Sequence, residues 1–153
     1  MRPSWDDYFI GLCLKIAERS EDRSTKVGCI AVGPDKEIRS TGYNGFPRYV
    51  ADSEDRHQRP KKYFFFAHAE ENAITQAARI GVSLKGCTLY VFASSGNLPP
   101  CATCARMIVQ SGITRVVCGD GDVPDRWKDS IDASLEMMSE AGIELVRIKK
   151  DKP

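Results

Sequence analysis

The sequence has few histidines, almost no net charge and no long apolar run. Its two histidines accompany 22 Lys and Arg residues and 21 Asp and Glu residues, which leave a formal charge of +1. Such a balance gives no broad basic surface for long nucleic acid or an anionic membrane. No apolar stretch approaches the roughly 18 to 20 residues that span a bilayer, and the N-terminus lacks the pattern of a signal peptide. We therefore predict a cytoplasmic protein with no membrane partner and no long nucleic-acid partner.

The chain has six cysteines. In a reducing compartment these indicate thiols or metal ligands rather than a disulfide framework. Four of them lie singly in apolar segments, where a free cysteine usually behaves as a small core residue. These four are Cys13, Cys29, Cys87 and Cys118. Only Cys101 and Cys104 have the spacing of metal ligands.

Hydrophobic periodicity and turn residues predict a single α/β domain over residues 1–153. The predicted elements are helix 5–19, strands Val27–Val32 and Ile38–Tyr43, helix Ala67–Ile80, strand Cys87–Ala93, helix Ala102–Ser111, strand Thr114–Cys118, a helix through 127–138 and strand Ile143–Ile148. Residues 44–62 read as an irregular loop, long enough to be a binding loop or lid, and 149–153 as a charged tail. Two early strands followed by alternating helices and strands indicate three α/β/α layers around a mixed five-stranded sheet.

Two short motifs carry the candidate chemistry: His68-Ala69-Glu70 and, some thirty residues later, Pro100-Cys101-Ala102-Thr103-Cys104. Both begin predicted helices, where exposed N–H groups and the helix dipole favour thiolates. One imidazole and two thiolates make a neutral zinc centre, and zinc acidifies water bound at an open position. We predict one catalytic Zn²⁺ per chain, held by His68, Cys101 and Cys104.

Glu70 is the predicted proton shuttle. Two residues after His68 it points roughly 200° away around a helix, but from the first turn it can reach the metal-bound water without ligating the metal. The alternative is a zinc ion that serves only folding in a non-catalytic regulatory module. Such a site usually takes a fourth protein ligand, and the nearest candidate, His57, has no spacing that recruits it.

His-x-Glu followed by Pro-Cys-x-x-Cys is the signature of zinc-dependent base deaminases, and the chain resembles the cytidine and deoxycytidylate deaminase superfamily. The likeness runs from Trp5 to Ile148 and is greatest to deoxycytidylate deaminases. Its further matching stretches are Ser24 to Gly28, Gly42 to Pro47, Lys62-Tyr63, Asn72 to Ile74, Lys85 to Val91 and Gln110 to Ile113. The resemblance implies the cytidine-deaminase-like fold and hydrolysis of dCMP to dUMP and ammonia. It also implies a homo-oligomer, a hexamer or a dimer, with dCTP and dTTP as effectors.

The resemblance also assigns roles to residues outside the motifs. It implies that Asn44 contacts the deoxyribose or base and that backbone groups near Ala69 read the pyrimidine edge. Gly45, with Gly42, lets the chain bend close to a ligand, although both glycines also suit an ordinary turn. Arg79 matches a position that relatives use for subunit contacts and nucleotide regulation, and is otherwise an exposed helical arginine.

Lys26, Arg19 and Arg23 are candidate ligands of a 5′-phosphate, the alternative for each being a solvated cation. Phe64, Phe65 and Phe66 are expected in the core rather than on the pocket wall or a subunit interface. The sequence also departs from the family pattern at three places.

These are the long 94–99 segment before Cys101, Glu71 at a commonly apolar position, and Tyr49 where glycine is frequent. They leave open a deaminase of another small nucleotide, nucleoside or base. A tRNA or other nucleic-acid editor is disfavoured by the charge balance.

Overall fold

The computed structural model describes residues 1–149, so residues 150–153 of the predicted charged tail lie outside the described part. The elements are α1 Trp5–Ala17, β1 Val27–Val32, β2 Ile38–Tyr43, α2 Lys62–Phe65, α3 Ala69–Ile80, β3 Thr88–Ala93, α4 Ala102–Gln110, β4 Arg115–Gly119, α5 Asp125–Glu140 and β5 Glu144–Ile148. Every predicted helix and strand is present, with ends that differ by one or two residues, as is usual at frayed termini. None of the helices within residues 1–149 is long and apolar enough to cross a membrane.

The five strands form one mixed sheet in the order β2-β1-β3-β4-β5. β1 pairs antiparallel with both β2 and β3, whereas β3, β4 and β5 run parallel to one another. Parallel neighbours need crossover connections, and α4 and α5 provide them. The mixed five-stranded sheet predicted from the sequence is therefore confirmed.

Helices cover both faces of this sheet. On one face α3, α4 and α5 pack against side chains such as Leu89 and Val116, which are fully buried. On the other face α1 packs through Phe9 against Ile30 and Tyr90. The four isolated cysteines are all buried, as predicted for small core residues.

The close approach of α3 to strand β2 fixes the position of the helix that begins at the candidate site. Ser40 donates a hydrogen bond from its hydroxyl to the Ala73 carbonyl at 2.6 Å. At Gly42, a Cβ atom would lie 2.5 Å from both the Ala69 carbonyl oxygen and the Ala73 backbone nitrogen. Glycine is therefore required here because the backbones of strand and helix touch directly.

The 44–62 segment is more structured than the predicted irregular loop. It contains a 3₁₀ turn at Glu54–His57 and leads into α2. The His57 side chain is buried between the rings of Phe46 and Phe66, at centroid distances of 5.2 and 5.6 Å. This small aromatic cluster holds the segment against the body of the protein, a long-range contact that local sequence does not reveal.

Candidate active site

Three predicted ligands meet at one point. The Nδ1 atom of His68 lies 3.3 Å from the Sγ atom of Cys104 and 3.4 Å from the Sγ atom of Cys101, and all three atoms lie within 4.8 Å of one another. Ligands of a tetrahedral zinc ion at ordinary Zn–N and Zn–S lengths are roughly 3.6 Å apart. The donor types and their separations therefore fit zinc, with Nδ1 as the imidazole ligand.

The ligands meet because two helices begin at the same place. His68 is the N-cap of α3 and Cys101 the N-cap of α4, both with extended backbone angles. Pro100 stands just before the N-cap and therefore two residues before N1, the first helical position, where proline is enriched. The hydroxyl of Ser130, on α5, accepts a hydrogen bond from the Ala102 N–H at 3.0 Å. One unpaired donor of the α4 terminus is thereby satisfied by a neighbouring helix.

The electrostatics of the cluster favour metal binding. The pKa of Cys101 is lowered to about 4, first because Cys104 donates a hydrogen bond to its sulfur and second because His68 lies beside it. The pKa of Cys104 is raised by that same hydrogen bond and by burial. The pKa of His68 is raised to about 9, chiefly by its hydrogen bond to Cys101. The low pKa of Cys101 means that the cluster already contains a thiolate near neutral pH. A bound metal cation would displace the protons that remain on His68 and Cys104.

Glu70 lies on the first turn of α3 and is buried, with 7% of its surface exposed. Burial raises the pKa of its carboxyl group, and this outweighs the lowering by neighbouring His68. A carboxyl group whose pKa is moved towards neutrality can both accept and release a proton. Its position on the wall of the same cavity as His68 and Cys101 agrees with the predicted proton shuttle.

A cavity of about 320 Å³ opens beside the ligands, within the size range of small-molecule sites. Its wall includes three cationic side chains that sequence reasoning did not single out: Arg59, Lys62 and Arg126. Arg59 and Arg126 are exposed residues, whereas the Lys62 side chain is only 12% exposed. Lys62 belongs to the Lys62-Tyr63 stretch that matches the family, and this match was the only sequence signal that could have indicated its place on the cavity wall. For the two arginines no sequence signal existed.

A buried carboxylate, Asp22, joins three segments of the cavity wall. It accepts hydrogen bonds from the Ser24 and Thr25 N–H groups and forms a 3.0 Å ion pair with Lys62. It also accepts a hydrogen bond from the side-chain amide of Asn44 at 3.2 Å. The Asn44 amide donates in addition to the Thr25 carbonyl, and its oxygen accepts from the Val27 N–H.

Asn44 lines the cavity, but both of its amide hydrogens are already used within the protein. Ala69 also lines the cavity. Gly45 is not among the lining residues and pairs in an isolated bridge with Ala67, which does line the cavity. Direct contact with a ligand stays a prediction for these positions.

The predicted phosphate ligands are not among the residues that line the cavity. Lys26 and Arg19 are exposed side chains away from its wall. Arg23 is held by Glu54 in a two-pronged ion pair with distances of 2.7 and 2.9 Å. Arg79 is exposed near the C-terminal end of α3.

The 94–99 segment that departs from the family pattern is pinned in place by Asn97. Its side-chain oxygen accepts a hydrogen bond from the Ala93 N–H at 2.7 Å, and its carbonyl accepts one from the Gly121 N–H at 2.8 Å. A Cβ atom at Gly119 or Gly121 would collide with Asn97. The segment thereby forms an ordered part of the cavity wall.

The other two departures also have local explanations. Glu71 accepts a hydrogen bond from the His68 N–H at 3.1 Å, which is one half of a capping box. An apolar residue at position 71 could not accept this hydrogen bond. Tyr49 is almost fully exposed and has a left-handed φ of 69°, the conformation in which glycine is unstrained.

Phe64, Phe65 and Phe66 were expected in the core, but none of them is a core residue. Phe64 is 84% exposed, Phe65 lies beneath the Arg56 guanidinium at 4.2 Å, and Phe66 lines the cavity. The expectation was wrong because α2 is a single short turn in which no residue is buried.

Comparisons with known proteins agree with this site. Residues 3–120 match the family profile of the cytidine and deoxycytidylate deaminase zinc-binding region. The chain is 37% identical over 153 residues to an uncharacterised deaminase from the luxG 3′ region of Aliivibrio fischeri, covering 99% of this chain and 98% of that one. It is 32% identical to deoxycytidylate deaminase of Homo sapiens, covering 85% of this chain and 70% of that one.

The fold is also similar to a solved structure, that of dCMP deaminase from the cyanophage S-TIM5 in complex with dCMP and dUMP. The TM-score is 0.74 at 26% identity, covering 97% of this chain and 99% of that chain. The chain therefore belongs to the cytidine and deoxycytidylate deaminase family. Within that class it is a zinc-dependent hydrolase acting on the C–N bond of a cyclic amidine.

Proposed function

We propose that the chain deaminates dCMP to dUMP and ammonia. The observation that carries this proposal is the composition of one cavity, which combines the His68, Cys101 and Glu70 cluster with the cationic side chains of Arg59, Lys62 and Arg126. Deamination chemistry needs only the first group. Lys62 is already paired with Asp22, whereas a 5′-phosphate on the substrate gives Arg59 and Arg126 a partner, because guanidinium groups bind phosphate by charge-assisted hydrogen bonds.

When bound to His68, Cys101 and Cys104, zinc lowers the pKa of a water molecule at its open position. Glu70 accepts one proton from the attacking water and delivers it to the ring nitrogen beside C4. It then accepts the second proton, from the new hydroxyl group on C4, and delivers it to the departing amine. The water oxygen forms a bond to C4, the bond from C4 to the exocyclic nitrogen breaks, and ammonia leaves. Burial of Glu70 suits both steps, because its raised pKa makes the carboxyl group a better proton acceptor and donor near neutral pH.

Ammonia release from a panel of substrates tests the proposal. The panel is dCMP, CMP, deoxycytidine, cytidine, dAMP and guanine, each given to zinc-loaded protein. We expect the highest kcat/KM with dCMP and a large loss with deoxycytidine, which lacks the phosphate. Equal rates with dCMP and deoxycytidine would contradict the phosphate argument, and no release from any compound would contradict the function.

Replacing Glu70 by glutamine tests the mechanism. We expect kcat to fall by about 10² to 10⁴, the usual contribution of a positioned proton-transfer group, with zinc content unchanged. Glu140→Gln, an exposed carboxylate at the end of α5, is the matched control and should keep wild-type activity. Full activity of Glu70→Gln on dCMP would refute the assigned role while leaving the enzyme class intact.

We extend the proposal to a homo-oligomer, a hexamer or a dimer, that responds to dCTP and dTTP. The support in the chain is modest and local. Arg79 is exposed beside Ile80, an isoleucine with 56% of its surface accessible at the end of α3. Light scattering with and without the two nucleotides tests this, and a monomer at all concentrations would refute it.

A further inference from the structure

The indole of Trp127 lies beside the metal ligands and has no part in the chemistry described above. Trp127 is in the first turn of α5, is only half-buried and lines the cavity. The centroid of its ring system lies 6.3 Å from the centroid of the His68 ring, and the two planes meet at 72°. The indole therefore contacts a metal ligand edge to face while part of its surface remains open to the cavity.

A second aromatic ring meets Trp127 from another side. Tyr63, on α2, lies 6.3 Å from the indole with an interplanar angle of 83°. Tyr63 also lines the cavity, and α2 and α5 are far apart in sequence. Behind the indole, Ile131 lies one turn further along α5, lines the same wall and is 2% exposed. The indole thus has packed neighbours and a cavity-facing surface.

The planes of the Trp127 indole and the His68 imidazole are nearly perpendicular. They form a corner beside the reaction centre that suits a flat heteroaromatic ring. A base stacked on one plane presents its edge to the other, and both arrangements are favourable for aromatic pairs. In either orientation the base contacts the indole. We propose that Trp127 is the aromatic surface that binds and orients the pyrimidine base, in the corner between its indole and the His68 imidazole.

This inference rests on the proposed function and deepens it by naming a residue that positions the base for attack at C4. The competing explanation is that Trp127 only supports the His68 ring. The two explanations differ in what the indole detects, since a base-binding indole senses the bound base and a supporting one senses only the metal site.

Intrinsic fluorescence separates these explanations because the chain has two tryptophans. Trp5 stacks on Phe9 at 5.7 Å on α1 and is not among the residues that line the cavity. The Trp5→Phe variant therefore leaves Trp127 as the reporter, and Trp127→Phe leaves Trp5 as the matched control. The ligand is dUMP, the product, which is not turned over.

We expect dUMP to change the emission of Trp5→Phe in a saturable way and to leave that of Trp127→Phe unchanged. Inorganic phosphate, which lacks a base, should not change the emission of either variant. The inference is refuted if the emission of Trp5→Phe stays constant at dUMP concentrations that inhibit its deamination of dCMP.

Kinetics provide the second readout. Loss of a base–aromatic stacking contact should raise the KM for dCMP about tenfold to a hundredfold in Trp127→Ala, with a smaller fall in kcat. Trp127→Phe, which retains an aromatic face, should recover most of the loss. A lowered zinc content with unchanged KM in the reloaded protein would assign Trp127 to the support of His68 instead.

The two proposals fail in different ways. Wild-type protein that releases no ammonia from any compound of the panel refutes the proposed function. Wild-type protein that deaminates dCMP while Trp127→Ala keeps the wild-type KM refutes the role of Trp127 alone.

Discussion

Replacing Gly42 by alanine should damage both stability and catalysis, because strand β2 and helix α3 touch at this residue. The added Cβ would lie 2.5 Å from the Ala69 carbonyl oxygen and from the Ala73 nitrogen. An ordinary contact of this kind is about 3.5 Å or longer, so the helix must move by about 1 Å. Both obstructing atoms belong to the backbone and cannot turn aside as a flexible side chain would.

The expected cost is about 1 to 3 kcal/mol, the usual range for overpacking. In a chain of this size that lowers Tm by roughly 2 to 12 °C. The displacement reaches the reaction centre because Glu70 follows Ala69 directly in the first turn of α3. A misplacement of about 1 Å can cost a hundredfold in rate, so we expect kcat to fall by more than the loss of folded protein explains.

Thermal unfolding and steady-state ammonia release on the same zinc-loaded preparations measure the two effects. Gly11→Ala is the control, since a Cβ at this position in α1 meets nothing within 4 Å. It should stabilise the protein by about 0.5 to 1 kcal/mol, because alanine is the better helix former. A Gly42→Ala variant with unchanged Tm and a rate within twofold of wild type would refute the argument.

Two further predictions concern Asp6 and Glu71. Arg115 donates hydrogen bonds to both carboxylate oxygens of Asp6, which lowers the Asp6 pKa. The resulting stabilisation is present above the unfolded pKa of about 3.9 and is lost as pH falls through the folded pKa. Asp6→Asn should therefore cost about 1 kcal/mol at pH 7, allowing for solvent screening, and this cost should shrink as pH falls through the lowered pKa of Asp6, as measured by urea unfolding. Glu71→Leu should weaken zinc binding about tenfold in chelator competition, because it removes the acceptor for the His68 N–H.

Each of these has a matched control. Lys128→Met removes an exposed pair with Asp132 on α5 and should change stability little at any pH. A gap between wild type and Asp6→Asn that persists undiminished at pH 2 would contradict the linkage argument. Glu71→Gln keeps an acceptor oxygen and should bind zinc within about twofold of wild type. Equal zinc affinity in Glu71→Leu would show that the capping contact does not position the ligand.

The metal centre was predictable from the sequence because its determinants are local. Cys101 and Cys104 are three residues apart at the start of a helix, and His68 opens another helix two residues before Glu70. Such spacings fix the donor types and place each motif at the start of its own helix, and the match of the two motifs to the deaminase signature indicated that they share one metal ion. The elements and the mixed sheet were predictable for a similar reason, since their hydrophobic periods repeat over a few residues.

The cavity wall was not predictable, because it is assembled from segments that meet only on folding. Lys26, Arg19 and Arg23 are near one another in sequence and looked like phosphate ligands, yet none of them lines the cavity. Arg59 and Arg126 do, since the aromatic contacts of His57 set the path of the long loop and the crossover after β4 sets the start of α5.

Which aromatic side chains are exposed or face the cavity also depended on long-range packing. Phe64 is exposed although three successive aromatics favour a core segment, because α2 is a single short turn with no buried residue. The position of Trp127 on the cavity wall was likewise not predictable, since the helical period of residues 127–138 indicated only that it lies on the buried face of a helix. The sequence by itself indicated the three candidate zinc ligands, the position of Glu70 beside them and the order of the elements, all set within a turn or a strand. Tertiary structure alone decided which cations and which aromatic rings line the cavity, because long-range packing sets those positions.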